Sequence, residues 1–236
     1  MKRFFVILMA LLCLTFSGQA REKLLTLYLH GDENENRIAV TIDDWYEPER
    51  LAEFLDAAKE YNCKLTLYPV GEILKEKDRD LWLRVLAEGH EIGNHSNTHK
   101  NLSKASRDSI IRQLTNFEKN LNKALGQEYV VNTLRYPYGA GRKSGTRGAF
   151  ARAIRDAGYM HVVLWNIDST DPDTIMRQVG NGSIILLHGN KKDLRAFREI
   201  LPRLQEKGYE MVTVSELLGL TKTSPDPAAP TASPVP

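Results

Sequence analysis

The sequence predicts an α/β protein, specifically a distorted or incomplete (β/α) barrel of about seven parallel strands in a single domain. Three observations lead there. Strand-like and helix-like segments alternate between residues 24 and 214. Five of the strand-like runs end in polar clusters, which is where α/β architectures gather their ligands. No Gly-x-Gly-x-x-Gly opens a helix, so an open dinucleotide-binding sheet is disfavoured.

A first strand is expected at 24–29 and a second at 38–42, both short and apolar. Residues 48–61 read as a helix: Pro48 suits a first turn, and Leu51, Phe54, Leu55 and Ala58 recur at helical spacing. A strand at 64–68 and a helix at 80–88, stopped by Gly89, follow. Ser103 is expected to open the longest helix. Its stripe is Ile110, Ile111, Leu114, Phe117, Leu121 and Leu125, and Gly126 closes it. Then come a strand at 130–134, a helix at 147–157 ended by Gly158 and a strand at 161–165. A short helix from Pro172 and a strand at 183–187 precede a helix at 194–207 ended by Gly208; a last strand is expected at 210–214.

Composition narrows the function. The 236 residues suffice for one large core, and 32 basic against 30 acidic residues leave a net charge of +2. That balance lacks the basic stripe of a nucleic-acid binder. Residues 1–20 read as a signal peptide: Lys2 and Arg3 precede an apolar stretch at 4–16, too short to span a bilayer comfortably, and Gly18-Gln19-Ala20 ends it with small residues. Cleavage after Ala20 implies an exported protein, periplasmic, wall-associated or extracellular, with no stable membrane insertion; a retained anchor is the alternative. Cys63 is then the sole thiol, so no internal disulfide forms, and it reads as a buried small hydrophobe. The domain proper spans 21–220, expected as a monomer. Residues 221–236, rich in Pro, Ala, Ser and Thr, read as a disordered tail.

The polar clusters carry the chemistry. His95 and His99 are spaced as a metal pair on a loop or helix start, after Gly93-Asn94. Zinc needs two or three such ligands plus an open position. Asp43-Asp44 closes the second strand; adjacent carboxylates repel, so the pair calls for a cation or an arginine. One of the two would complete a three-ligand site and leave the other free as a base. In Arg135-Tyr136-Pro137-Tyr138-Gly139, the proline and glycine fix an irregular turn that can aim a backbone N–H at an oxyanion. His188 ends a strand of four aliphatic residues, and a carboxylate such as Asp168 beside it would suit it to donate a proton.

At these residues the chain resembles the NodB-homology polysaccharide deacetylases, carbohydrate esterase family 4, over residues 38–217. The segments from Gly93 to His99 and from Arg135 to Gly139 carry the likeness most specifically, and all five motifs occur in the family's order. The resemblance implies Asp43 as catalytic base, Asp44, His95 and His99 as metal ligands, and Arg135 as the residue orienting the base. It implies the Tyr138 N–H as oxyanion donor, His188 as general acid paired with Asp168, and Leu186 as a wall of the acetyl pocket. Trp45, Trp165 and Tyr136 are the aromatic candidates for substrate contact. The implied cofactor is a divalent metal, zinc first, with Co2+, Mn2+ or Ni2+ as alternatives. The implied partner is a GlcNAc-containing polysaccharide, deacetylated with release of acetate. Two departures stand out. Trp45-Tyr46 replaces the family's Gly-Pro after the Asp pair, and Asp171 is followed by Pro172 where the family has Trp. Competing readings are an amidohydrolase for a small non-sugar amide and a non-catalytic carbohydrate-binding relative.

Overall fold

The computed structural model describes residues 25–140, 142 and 146–220. The signal peptide and the tail expected from the sequence lie outside the described residues.

Among the described residues there are nine strands: β1 (Thr26–Tyr28), β2 (Arg37–Asp44), β3 (Leu65–Pro69), β4 (Glu91–Ile92), β5 (Thr133–Leu134), β6 (His161–Val163), β7 (Ile167–Asp168), β8 (Ile184–His188) and β9 (Glu210–Met211). Seven α-helices accompany them among the described residues: α1 (Pro48–Glu60), α2 (Arg79–Ala87), α3 (Arg107–Leu125), α4 (Gly148–Asp156), α5 (Pro172–Gln178), α6 (Lys191–Glu206) and α7 (Val214–Leu217). Every strand pairing is parallel. One sheet runs β4-β3-β2-β8-β7 with β9 beside the start of β2, and the other runs β1-β6-β5. A parallel bridge between Asn94 and Leu134 joins them. The sheet does not close, so the fold is a distorted, incomplete (β/α) barrel, as expected.

Strand alternation sorts the core into two faces. Val40, Ile42, Leu65, Leu67, Ile185 and Leu187 face outward onto Phe54, Phe117, Phe197 and Leu201 of the surrounding helices. Ala39, Tyr68, Val163 and Ile184 pack inside, with Val212 and Val214. Cys63 is buried, and burial pushes its thiol up to about 12, as befits an inert packing residue.

Several element boundaries differ from expectation. Asp43 and Asp44 lie within β2, not after it, because the ladder to β3 continues through Asp44↔Pro69. The long helix starts at Arg107: Ser106 accepts from the Ser109 N–H as its N-cap, while Ser103 sits in a separate single turn capped by Asn101. Only Thr133 and Leu134 of 130–134 find a strand partner. The last expected strand stops at Met211, because Thr213 and Glu216 form a capping box that starts α7. α6 starts three residues earlier than expected, with Asn190 accepting from the N–H groups of Lys192 and Asp193.

Candidate active site

The ends of β2, β3, β5 and β8 and the loop after β4 converge on one spot. Register places Asp43 beside Tyr68 on one side and His188 on the other. The loop bearing the two histidines is fastened from beneath. Asn94 donates to the Leu114 carbonyl (3.1 Å) and to the Tyr159 hydroxyl (2.6 Å), and it accepts from the Ser96 N–H (2.8 Å). Gln113 of α3 accepts from the N–H groups of Asn97 and Thr98. Gly93 is required by a close approach, since a Cβ there would lie 2.2 Å from a ring carbon of Tyr68.

Arg135 is wholly buried and makes four hydrogen bonds. Its guanidinium donates to Asp43 Oδ1 (2.7 Å), Thr41 Oγ1 (2.6 Å) and the carbonyls of Val163 and Leu164 (3.1 Å each), and it lies 4.2 Å over the Tyr68 ring. A buried carboxylate is therefore held by a buried cation. Asp43 Oδ2 stands 3.8 Å from His95 Nε2, at the edge of the ligand cluster.

Asp44, His95 and His99 come together as expected, their candidate ligand atoms all within 4.8 Å of one another. His95 Nδ1 is 2.9 Å from the Arg135 carbonyl, an acceptor, so Nδ1 carries the proton and Nε2 presents its lone pair to Asp44 Oδ1 at 3.2 Å. His99 Nε2 lies 2.9 Å from the same oxygen. The separations of the two imidazoles from Asp44 Oδ1, 3.2 and 2.9 Å, lie near the edge, about 3.3 Å, of a tetrahedron with zinc-like bond lengths. Imidazole nitrogen with carboxylate oxygen suits zinc or a related first-row divalent ion, so the residues fit the implied metal. Burial works against the Asp44 charge, but with the two imidazoles protonated at Nε2 their hydrogen bonds and charges hold its carboxyl well below the usual range. Among the described residues five non-glycine residues have left-handed backbone, and four of them, Asp44 at the end of β2 and Ser96, His99 and Tyr138 in the adjoining loops and turn, lie at this site, so strain is concentrated here.

His188 directs Nε2 to within 3.9 Å of Asp44 Oδ2. Its expected partner is not the one the structure provides. Asp168 is exposed at the end of β7, whereas Nδ1 of His188 lies 3.2 Å from Asp193, and this bond is the main reason its pKa is raised. The sequence signal for Asp193 was present as Asn190-x-x-Asp193, a cap followed by an N3 acid, but the expected helix start at 194 hid it.

The aromatic candidates divide. Trp45 is 47% exposed and Tyr138 68% exposed, their rings packed on His99 at centroid distances of 4.8 and 4.6 Å. Trp45 needs no glycine-like backbone, since the positive φ falls on Asp44 instead. Trp165 is half-buried beside Gly139 and Arg142. Tyr136, expected to meet substrate, is instead buried against Phe150 in the core below α4, because the turn at Pro137 sends its ring inward. Leu186 is nearly buried on the inward face of β8, opposite Thr41. Asp171 caps α5 with Pro172 in its first turn, which accounts for the missing aromatic of that motif.

The profile of the polysaccharide deacetylase family matches residues 30–162, and the chain belongs to that family. A peptidoglycan-N-acetylglucosamine deacetylase of Bacillus cereus is 32% identical over 206 residues, covering 81% of this chain and 72% of the relative. The peptidoglycan-N-acetylmuramic acid deacetylase PdaC of Bacillus subtilis is 31% identical over 196 residues; the match covers 79% of this chain but only 39% of PdaC. A solved structure of the B. subtilis peptidoglycan deacetylase PdaC superposes with a TM-score of 0.68 at 30% identity, covering 79% of this chain and 91% of that one.

Proposed function

We propose that this protein hydrolyses N-acetyl groups on amino sugars of a cell-wall or extracellular polysaccharide, releasing acetate and leaving a free amine. The observation carrying the reading is the buried Arg135–Asp43 pair set 3.8 Å from a cluster of one carboxylate and two imidazoles. Asp44, His95 and His99 hold a divalent cation, zinc first, with Co2+, Mn2+ or Ni2+ as alternatives; when bound it supplies Lewis-acid polarisation of the acetamide carbonyl and acidifies water.

The chain's own residues do the rest. Asp43, fixed by Arg135, takes a proton from the attacking water. The Tyr138 N–H, on a left-handed turn beside His99, donates to the oxyanion that develops on the carbonyl oxygen. The C–N bond then breaks, and His188 gives its Nε2 proton to the departing nitrogen. Leu186 walls the space for the acetyl methyl, while Trp45 and Trp165 offer flat apolar faces to sugar rings. The exposed rings around His99 favour a glycan over a small non-sugar amide, and the complete acid–base set disfavours a merely binding relative. Export by residues 1–20 would place the enzyme where two peptidoglycan-acting relatives find their substrate.

The test is acetate release from GlcNAc oligomers and purified peptidoglycan, with chelation followed by metal add-back. Activity lost to chelator and restored by zinc supports the reading. Absence of acetate from either glycan after metal reconstitution removes it.

A further inference from the structure

The geometry points to Asp193, not Asp168, as the residue that positions the His188 imidazole for proton transfer; the inference rests on the functional reading above. Asp193 is fully buried, at the third position of α6. Its Oδ2 lies 3.2 Å from His188 Nδ1 and accepts from the His188 backbone N–H (2.7 Å) and the Asn190 side-chain amide (3.1 Å). A carboxylate only accepts, so Nδ1 keeps a proton in both the neutral and the charged ring, and Nε2, turned towards Asp44 3.9 Å away, is the nitrogen that gains and gives up the second proton.

A helix cap alone does not explain this arrangement. Asp193 Oδ1 is buried with no hydrogen-bond partner among the described residues, a costly state for a carboxylate that serves only as a local brace. The helix N-terminus offsets part of that cost, and an imidazolium at His188 offsets more. Holding both the ring and the backbone of His188, Asp193 fixes the rotamer as well as the tautomer. Asp168 makes no comparable contact, being exposed at the edge of the sheet.

Two variants separate the candidates. Asp193→Asn retains an oxygen that can accept from Asn190 and from the His188 N–H, so the cap survives while the charge is lost. Its kcat for acetate release is expected to fall at least about tenfold with KM nearly unchanged, whereas Asp168→Asn stays within about threefold of wild type. A second readout is independent of turnover. In the full chain with zinc added, the ring Nδ1–H of His188 should appear in NMR as a downfield proton protected from exchange. It should move upfield in Asp193→Asn and stay in place in Asp168→Asn. An unchanged kcat and ring proton in Asp193→Asn, or their loss in Asp168→Asn alone, overturns the assignment. If wild type releases no acetate, the functional reading fails and the ring proton still decides the pairing.

Discussion

Arg135 shows how one side chain can serve both packing and chemistry. Four hydrogen bonds and a stacked ring surround a cation with no access to water, and its charge is balanced by Asp43. A lysine keeps the charge but not the planar fork, so Arg135→Lys leaves two or more buried acceptors unmet. We expect it to cost about 2–3 kcal/mol in urea unfolding, at about 1 kcal/mol per lost bond, and to cut acetate release more than tenfold. Stability equal to wild type would contradict the buried network. Asp43→Asn behaves differently: the amide oxygen still accepts from Arg135, so the fold holds and zinc binding persists while turnover disappears. Calorimetric zinc titration beside the acetate assay separates the two effects; substantial retained activity would remove Asp43 from its role as base.

At the scale of elements, the start of α3 offers a clean comparison, because this helix supplies Gln113 and the Leu114 carbonyl that fasten the histidine loop. Ser106→Ala removes the true cap and should cost about 1 kcal/mol, while Ser103→Ala, in the preceding turn, should cost well under half of that. Equal losses in chemical denaturation would move the helix start back to Ser103. Long elements such as α1, α3, β2 and β8 were legible in the sequence because their apolar periodicity extends over several turns or pleats. Of the two-residue strands, β4 and β7 were not, and β5 and β9 were read too long, since a ladder that short is dictated by its neighbours. Similarly, Asp43, Asp44, His95, His99 and Arg135 could be read because each closes a strand-like run. The partner of His188 could not, because an acid five residues on, at the third position of the following helix, decides it. Nor could the inward turn of Tyr136, which depends on the backbone path through Pro137.

Across the whole molecule, the two ends of the barrel have different duties: chemistry gathers at the carboxyl ends of the strands, and the opposite end holds the structure together. There, Glu91 accepts from Thr66 and twice from Ser215, tying α7 to β3. Beside it, the buried His90 accepts the Leu65 N–H at Nδ1 (2.9 Å), a bond that only the neutral ring can make. Burial brings its pKa down to about 4, although Glu88 stands 3.7 Å from Nε2 and pulls the other way. The unfolded chain titrates this residue near its ordinary value, about 6.5. Below that pH the unfolded state takes up a proton that the folded state refuses until about 4, so stability falls as acid is added across the interval. The difference corresponds to about 3 kcal/mol at most, fully recovered above pH 7. His90→Asn keeps an acceptor for the Leu65 N–H but cannot be protonated. Urea midpoints measured from pH 7.5 to 4.5 should therefore drop less steeply in the variant than in wild type, and the difference of slopes cancels the contribution of the histidines at the other end. Parallel curves would show that His90 takes up its proton without cost and that the acid sensitivity of the fold originates at the site end.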